Sequence, residues 1–180
     1  VLAMTSRPGY DPNRYAEGPE EGLRNRCLTD PFEPGSTFKP FIAGPALDAR
    51  VVSPQTPINC EGGIFKYGAR ILHDHHPYAI LSVREVIEKS SNIGIAKIAL
   101  LLKARRTYEG IARFGFGARS GIDLPGEDPG LLHPLARWSA FSITSVPMGH
   151  EILVTPLQLA AGFCSFANGG LRVRPHVIGR

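Results

Sequence analysis

Phe32-Glu-Pro-Gly-Ser-Thr-Phe-Lys-Pro-Phe41 is the stretch on which the reading of this chain turns. Turn formers in Pro31–Gly35 punctuate the chain before Ser36, so a helix is predicted to start there. Over Ser36–Leu47, Phe38, Phe41, Ile42 and Ala46 fall at helical offsets, although Pro40 and Pro45 limit the regularity. Ser36 and Lys39, three positions apart, then share one face, and a hydroxyl meets an amine. A serine hydroxyl is a poor nucleophile until a base takes its proton, and a lysine can do so once burial and its neighbours lower its pKa. The positive end of a helix disfavours the ammonium form and favours negative charge developing beside the serine. Bringing a lysine from ~10.4 toward neutrality takes about 3–4 kcal/mol of differential interaction, within reach of burial among apolar side chains. Serine and lysine are common, so Ser-x-x-Lys alone carries little information.

A second constellation is Ser90-Ser91-Asn92. Ser82 followed by Glu85 has the capping-box spacing and leads into Val83, Val86 and Ile87, a short helix predicted to stop near Lys89. From about Asn92 to Lys103 the apolar positions cover most of the circumference, which predicts a buried helix with only Lys97 and Lys103 solvated. The triplet therefore marks a bend between two helices. Such a bend can project Ser90 and Asn92 into a cleft as a proton relay and an amide that holds a substrate amide, or it can merely cap the buried helix.

Outward from these motifs the organisation is that of a globular chain. With 180 residues, 43% hydrophobic and 20% charged, one core of ordinary size is expected and wholesale disorder is not. The longest apolar run, Ile93–Leu102, is broken by Lys97 and is too short to span a bilayer. The net charge of +4 is scattered among 16 acidic residues without a basic stripe, so no nucleic-acid partner is expected. Val1–Ser6 reads as a short strand, and 49–80 as exposed irregular connection with a small hairpin around Gly62-Gly63. Thr107–Phe114 reads as a helix, Thr155-Pro156 opens another that runs to about Asn168, and Leu171–Ile178 alternates like a strand. The opening residues lack the flank and cleavage site of a signal peptide and do not begin with Met, so a longer parent protein is expected. Cys27, Cys60 and Cys164 form neither a zinc spacing nor a complete disulfide framework.

The two motifs together resemble those of the transpeptidase domain of class B penicillin-binding proteins. Val1–Asn13, Gly121-Ile-Asp-Leu-Pro-Gly-Glu127, Val154-Thr-Pro-Leu-Gln-Leu159 and Ala167-Asn-Gly-Gly170 agree with that family in order, so the resemblance spans almost the whole chain. It implies an α+β fold of the penicillin-binding-protein and serine β-lactamase kind. It also implies one transpeptidase domain over 1–180, with the helical subdomain largely present, the C-terminal sheet strands missing and the N-terminus clipped. The implied chemistry is serine acyl transfer, with Ser36 as nucleophile, Lys39 as its base, Ser90 passing a proton to the leaving D-alanine and Asn92 binding the donor amide. The Ser36 backbone N–H would supply one oxyanion donor. Implied partners are peptidoglycan stem peptides and β-lactams and, for the longer protein, a membrane glycosyltransferase and other cell-wall synthesis proteins on the extracytoplasmic face of the bacterial membrane. No metal and no cofactor are expected.

The family's third motif, Lys-Thr-Gly, has no counterpart, because Arg119-Ser120-Gly121 directly precedes the Ile-Asp-Leu-Pro-Gly-Glu segment and reads as loop. A serine β-lactamase is the competing enzyme, but no Glu-x-x-Leu-Asn supplies a deacylating base. A β-lactam sensor or scaffold without turnover is the non-enzymatic alternative. His73-Asp74-His75-His76 holds metal-ligand types that cannot converge on one ion from one extended backbone, and reads as a polar loop; Asp74, His76 and Pro77 fall where the family has a similar loop before its second motif. Phe163, Cys164 and Phe166 read as helix packing, Trp138 and Phe141 as core or cleft wall, and His150 is left without a role.

Overall fold

The computed structural model describes residues 1–179. In chain order these form α1 (Arg26–Thr29), α2 (Pro40–Asp48), β1 (Pro57–Asn59), β2 (Ile64–Tyr67), β3 (Arg70–His73), β4 (Ile80–Ser82), α3 (Val83–Glu88), α4 (Asn92–Leu102), α5 (Ala104–Arg113), α6 (Ser142–Ser145) and α7 (Pro156–Ala167), with short 3-10 turns between them. They group into two compact units, one of Glu33–Phe114 with Leu132–Ile152, the other of Val1–Phe32, Gly115–Leu131 and the stretch from Leu153 on.

The unit that begins at Glu33 is built around α4. Its apolar residues run nearly all round the helix, so it is stable only when wrapped, and Ile93, Ile95, Ile98 and Leu102 are buried with Phe41, Ile42 and Ala46 of α2 and Ile111 of α5. Phe41 meets Phe38 at 5.4 Å and the edge of Phe114 at 5.0 Å, which ties α2 to the end of α5. The Ser82–Glu85 capping box starts α3: the Glu85 N–H donates to Ser82 Oγ at 3.2 Å and the Ser82 N–H to Glu85 Oε2 at 2.8 Å. Two antiparallel pairs complete the unit, β1 with β4 (Ile58 opposite Leu81) and β2 with β3 (Phe65 opposite Leu72).

The other unit gathers Leu28 of α1, Leu157 of α7 and Ile122, with Met4 and Leu124 packed against them. Thr155 and Gln158 form the capping box of α7, and the Gln158 side-chain amide donates to Ala118 O and Pro129 O, both at 2.8 Å. Glu127 closes the Gly121–Glu127 loop by accepting the N–H groups of Ser120 at 2.6 Å and Gly121 at 3.1 Å, so Arg119-Ser120-Gly121 is loop as expected.

Several expectations need correction. The helix predicted from Ser36 is two elements, a 3-10 turn over Gly35–Phe38 and α2 from Pro40, because a proline without an N–H fits the first helical position. The hairpin in 49–80 turns at Gly68, not at Gly62-Gly63, and that stretch buries Ile58, Cys60 and Leu72. Neither Val1–Ser6 nor Leu171–Ile178 is a strand. The N–H groups of Val177 and Ile178 donate to the Asp123 carboxylate at 2.8 and 3.0 Å instead of to a ladder. Lys97 is not simply solvated, since its amine lies over the Phe65 ring, 4.4 Å from the centroid, and pairs with Glu61. Phe163 and Phe166 pack on each other along α7, ring centroids 6.1 Å apart, and are 39% and 48% exposed. Among the described residues no helix is long and apolar enough to cross a membrane.

Candidate active site

The 3-10 turn over Gly35–Phe38 keeps Ser36 and Lys39 on one side, since residues three apart eclipse in that geometry. Their exposure is opposite. Ser36 is open to solvent, and its hydroxyl makes no hydrogen bond among the described residues, whereas Lys39 is 2% exposed. The buried amine points to the second motif, where Nζ lies 2.5 Å from Ser90 O, 2.9 Å from Ser90 Oγ and 2.9 Å from Asn92 Oδ1. Burial lowers the Lys39 pKa from 10.5 to about 8, and the negative charge of Asp74 opposes that shift. An amine near half-neutral at mildly alkaline pH can take a proton, and the Ser90 hydroxyl 2.9 Å from it can pass one on.

The bend that presents Ser90 is strained. Ser90 has φ +54°, a left-handed conformation that costs a non-glycine residue about 1 kcal/mol or more. It is pinned by Ser90 N–H to Ile87 O at 3.2 Å and Ser91 N–H to Val86 O at 3.0 Å. Ser91, 1% exposed, is the N-cap of α4 and accepts the Gly94 N–H at 2.8 Å. Capping and contact with the amine thus fall to different residues: Ser91 caps, while Ser90 and Asn92 hydrogen-bond Lys39.

A second support sits under Ser36. Gly149, at φ +82°, packs its Cα so closely on Gly35 that an added Cβ would stand 2.2 Å from Gly35 O and 2.4 Å from Gly35 N. The Gly35 N–H donates to Gly149 O at 3.2 Å. Beside this contact, His150 Nδ1 lies 3.0 Å from Glu33 Oε2 and the Glu151 N–H donates to Glu33 Oε1 at 3.0 Å; these bonds, the histidine's first, hold the Glu33 carboxyl below its ordinary pKa. His150, which sequence reading leaves without a role, belongs to the brace of the serine-bearing turn.

Sequence reading also misses Asp74. Its carboxylate accepts the Asn92 N–H at 2.5 Å and the Ile93 N–H at 3.0 Å on Oδ1, and the Ser91 hydroxyl at 2.7 Å on Oδ2. The one available signal is its place in a loop ahead of Ser90-Ser91-Asn92, which does not by itself assign a side chain. Phe141 lies over Gly68 of the hairpin, 3.5 Å from where a Cβ would stand, and Trp138 meets Tyr108 edge-on at 6.2 Å, so both serve packing.

Fold and site together define a protein with a paired Ser-x-x-Lys and Ser-x-Asn centre on an α+β scaffold. The family model for the penicillin binding protein transpeptidase domain matches residues 1–180. Peptidoglycan D,D-transpeptidase FtsI of Escherichia coli (strain K12) is 36% identical over 171 residues, covering 95% of this chain and 29% of the relative. Penicillin-binding protein PbpB of Mycolicibacterium smegmatis is 34% identical over 183 residues, covering 99% and 28%. The apo TP domain of Burkholderia pseudomallei penicillin-binding protein 3 superposes with a TM-score of 0.84 at 33% identity, over 87% of this chain and 47% of that one. The chain belongs to the penicillin-binding protein transpeptidase domain family, with relatives of the class B kind. It spans less than a third of the length of these curated relatives.

Proposed function

We propose that this chain carries the acyl-transfer centre of a peptidoglycan D,D-transpeptidase. Ser36 Oγ attacks the carbonyl carbon of the penultimate D-alanine of a stem peptide while neutral Lys39 takes its proton. The proton passes through Ser90 Oγ to the leaving nitrogen, the C–N bond breaks and terminal D-alanine departs. An amine of a neighbouring stem then attacks the ester, and Ser36 regains a proton. Asn92 holds the donor amide, and the Ser36 N–H steadies the oxyanion. β-Lactams enter as mimics of the donor end. The centre is read as working on the extracytoplasmic side of the bacterial membrane, beside glycosyltransferase and other cell-wall synthesis partners.

The observation that carries this reading is the reach of a buried, pKa-lowered Lys39 amine to Ser90 Oγ and Asn92 Oδ1. A labelled penicillin tests it. A stable adduct on Ser36, located by peptide mass mapping and absent in Ser36→Ala, is expected. Fast release of the label would favour a β-lactamase, and an adduct on another residue or none at all would overturn the acyl-enzyme reading.

The same assay has a predicted pH dependence. Lys39 acts as a base only when neutral, so acylation should rise about tenfold per pH unit below about 8 and level off above it. A rate independent of pH between 6 and 9 would remove Lys39 from the role.

A further inference from the structure

Asn92 is gripped at two points by the end of β3: its side-chain Nδ2 donates to His73 O at 3.1 Å, and its backbone N–H donates to Asp74 Oδ1 at 2.5 Å. The next N–H, of Ile93, shares that oxygen at 3.0 Å, and the other oxygen takes the hydroxyl of Ser91, itself the cap on Gly94. The first turn of an α-helix leaves four N–H groups without helical partners. Here those of Asn92, Ile93 and Gly94 end on Asp74 or on a hydroxyl that Asp74 orients. The carboxylate is in turn fixed by its own backbone, whose N–H donates to Gly63 O at 3.1 Å. The strained Ser90 therefore lies between the end of α3 and a helix start locked from outside the helix.

We propose that Asp74 is a positioning residue for the acyl-transfer centre: its carboxylate locks the 90–92 turn so that Ser90 and Asn92 face Lys39. The inference rests on the transpeptidase reading of that centre. Removing the carboxylate acts on the site twice. The helix start loses its common acceptor, so Ser90 and Asn92 wander from the amine. Lys39 loses the charge that opposes burial, so its pKa moves further down. Of the other charged or titratable groups on the surrounding elements, Glu85 is turned to Ser82 and Lys89, Lys97 is paired with Glu61, and Glu33 is paired with His150. Cys60, 3.5 Å from Ser91 Oγ, has its thiol pKa raised by burial and stays uncharged. The His73 ring is exposed.

Asp74→Asn and Asp74→Glu separate the two actions. Asp74→Asn should lower the plateau rate of penicillin acylation about tenfold and move the acid limb to lower pH, because the neutral amine then persists further into acid. Asp74→Glu keeps the charge but misplaces the oxygens, so the plateau should fall while the limb stays near that of the native protein. A purely structural role would lower both plateaus and move neither limb. Titration of the Lys39 side chain by NMR in the native chain and in Asp74→Asn supplies a readout that does not need turnover. A lower Lys39 pKa in the variant supports the proposal, and an unchanged one overturns it even where no acylation occurs. Failure of the native chain to label Ser36 would instead count against the acyl-enzyme reading, and the NMR comparison would still decide the part played by Asp74.

Discussion

Lys39→Met is expected to lower Ser36 acylation by about 10²–10⁴-fold, the range removed with a general base, while leaving the folded state no less stable at neutral pH. The stability half follows from the sign of the pKa shift. Lys39 falls from 10.5 to about 8 on folding, so between those values the unfolded chain binds more protons than the folded one and stability rises with pH. The cost of burying the ammonium is absent above 10.5 and fully developed below about 8, where it amounts to about 3 kcal/mol. Methionine fills a similar volume without the charge and abolishes that cost. Against it stand three lost hydrogen bonds, whose acceptors belong to partly exposed Ser90 and Asn92 and can turn to water. Thermal unfolding at pH 7 should therefore show a Tm equal to or above that of the native chain, with the difference shrinking as pH rises toward 10. A large drop in Tm together with lost labelling would mean that Lys39 holds the fold and would leave its part as base unsupported. Full labelling in Lys39→Met would remove it from the chemistry altogether.

How much of this could be read beforehand depended on the range of the signal. Ser82 with Glu85 and Thr155 with Gln158 write their helix starts in four residues, and the all-round apolar pattern of Asn92–Leu102 can only be a wrapped helix, so these elements stand where they were expected. Helical spacing puts Ser36 and Lys39 on one face, and the 3-10 turn that replaces the helix keeps them on one side, although the amine's hydrogen bonds go to Ser90 and Asn92. What failed was non-local. Alternation in Leu171–Ile178 suits a strand, but a strand needs a partner, and here the N–H groups of Val177 and Ile178 find Asp123. Gly62-Gly63 and Gly68 are equally good turn signals, and the register that sets Phe65 opposite Leu72 decides for Gly68. The pairing of Asp74 with Asn92 is non-local in the same way, since nothing in a His-Asp-His-His run says which distant helix start its carboxylate will meet. Gly149 is the plainest case, because its neighbour Gly35 lies far away along the chain.

Gly149→Ala is expected to destabilise the protein by about 2–4 kcal/mol and to slow acylation by about 10²-fold in the molecules that remain folded. Two costs combine. At φ +82° an alanine bears the ordinary penalty of a left-handed backbone, about 1 kcal/mol. Its Cβ would also fall 2.2 Å from Gly35 O, 2.4 Å from Gly35 N and 2.6 Å from Gly35 Cα, and these backbone atoms cannot swing aside as a side chain can. Relief requires moving Gly35, which stretches its N–H bond to Gly149 O and carries Ser36, the next residue, away from the second motif. Gly62→Ala isolates the conformational cost: Gly62 has φ +66° but nothing within 4 Å of an added Cβ, so it should lose about 1 kcal/mol and acylate at the native rate. Chemical denaturation of both variants, with labelling rates measured well below their midpoints, distinguishes the two effects. Equal losses of stability and equal labelling in the two would show that the Gly149–Gly35 contact does not set the position of Ser36. A slow, otherwise well-folded Gly149→Ala would show that a backbone contact outside both motifs helps set the serine in place.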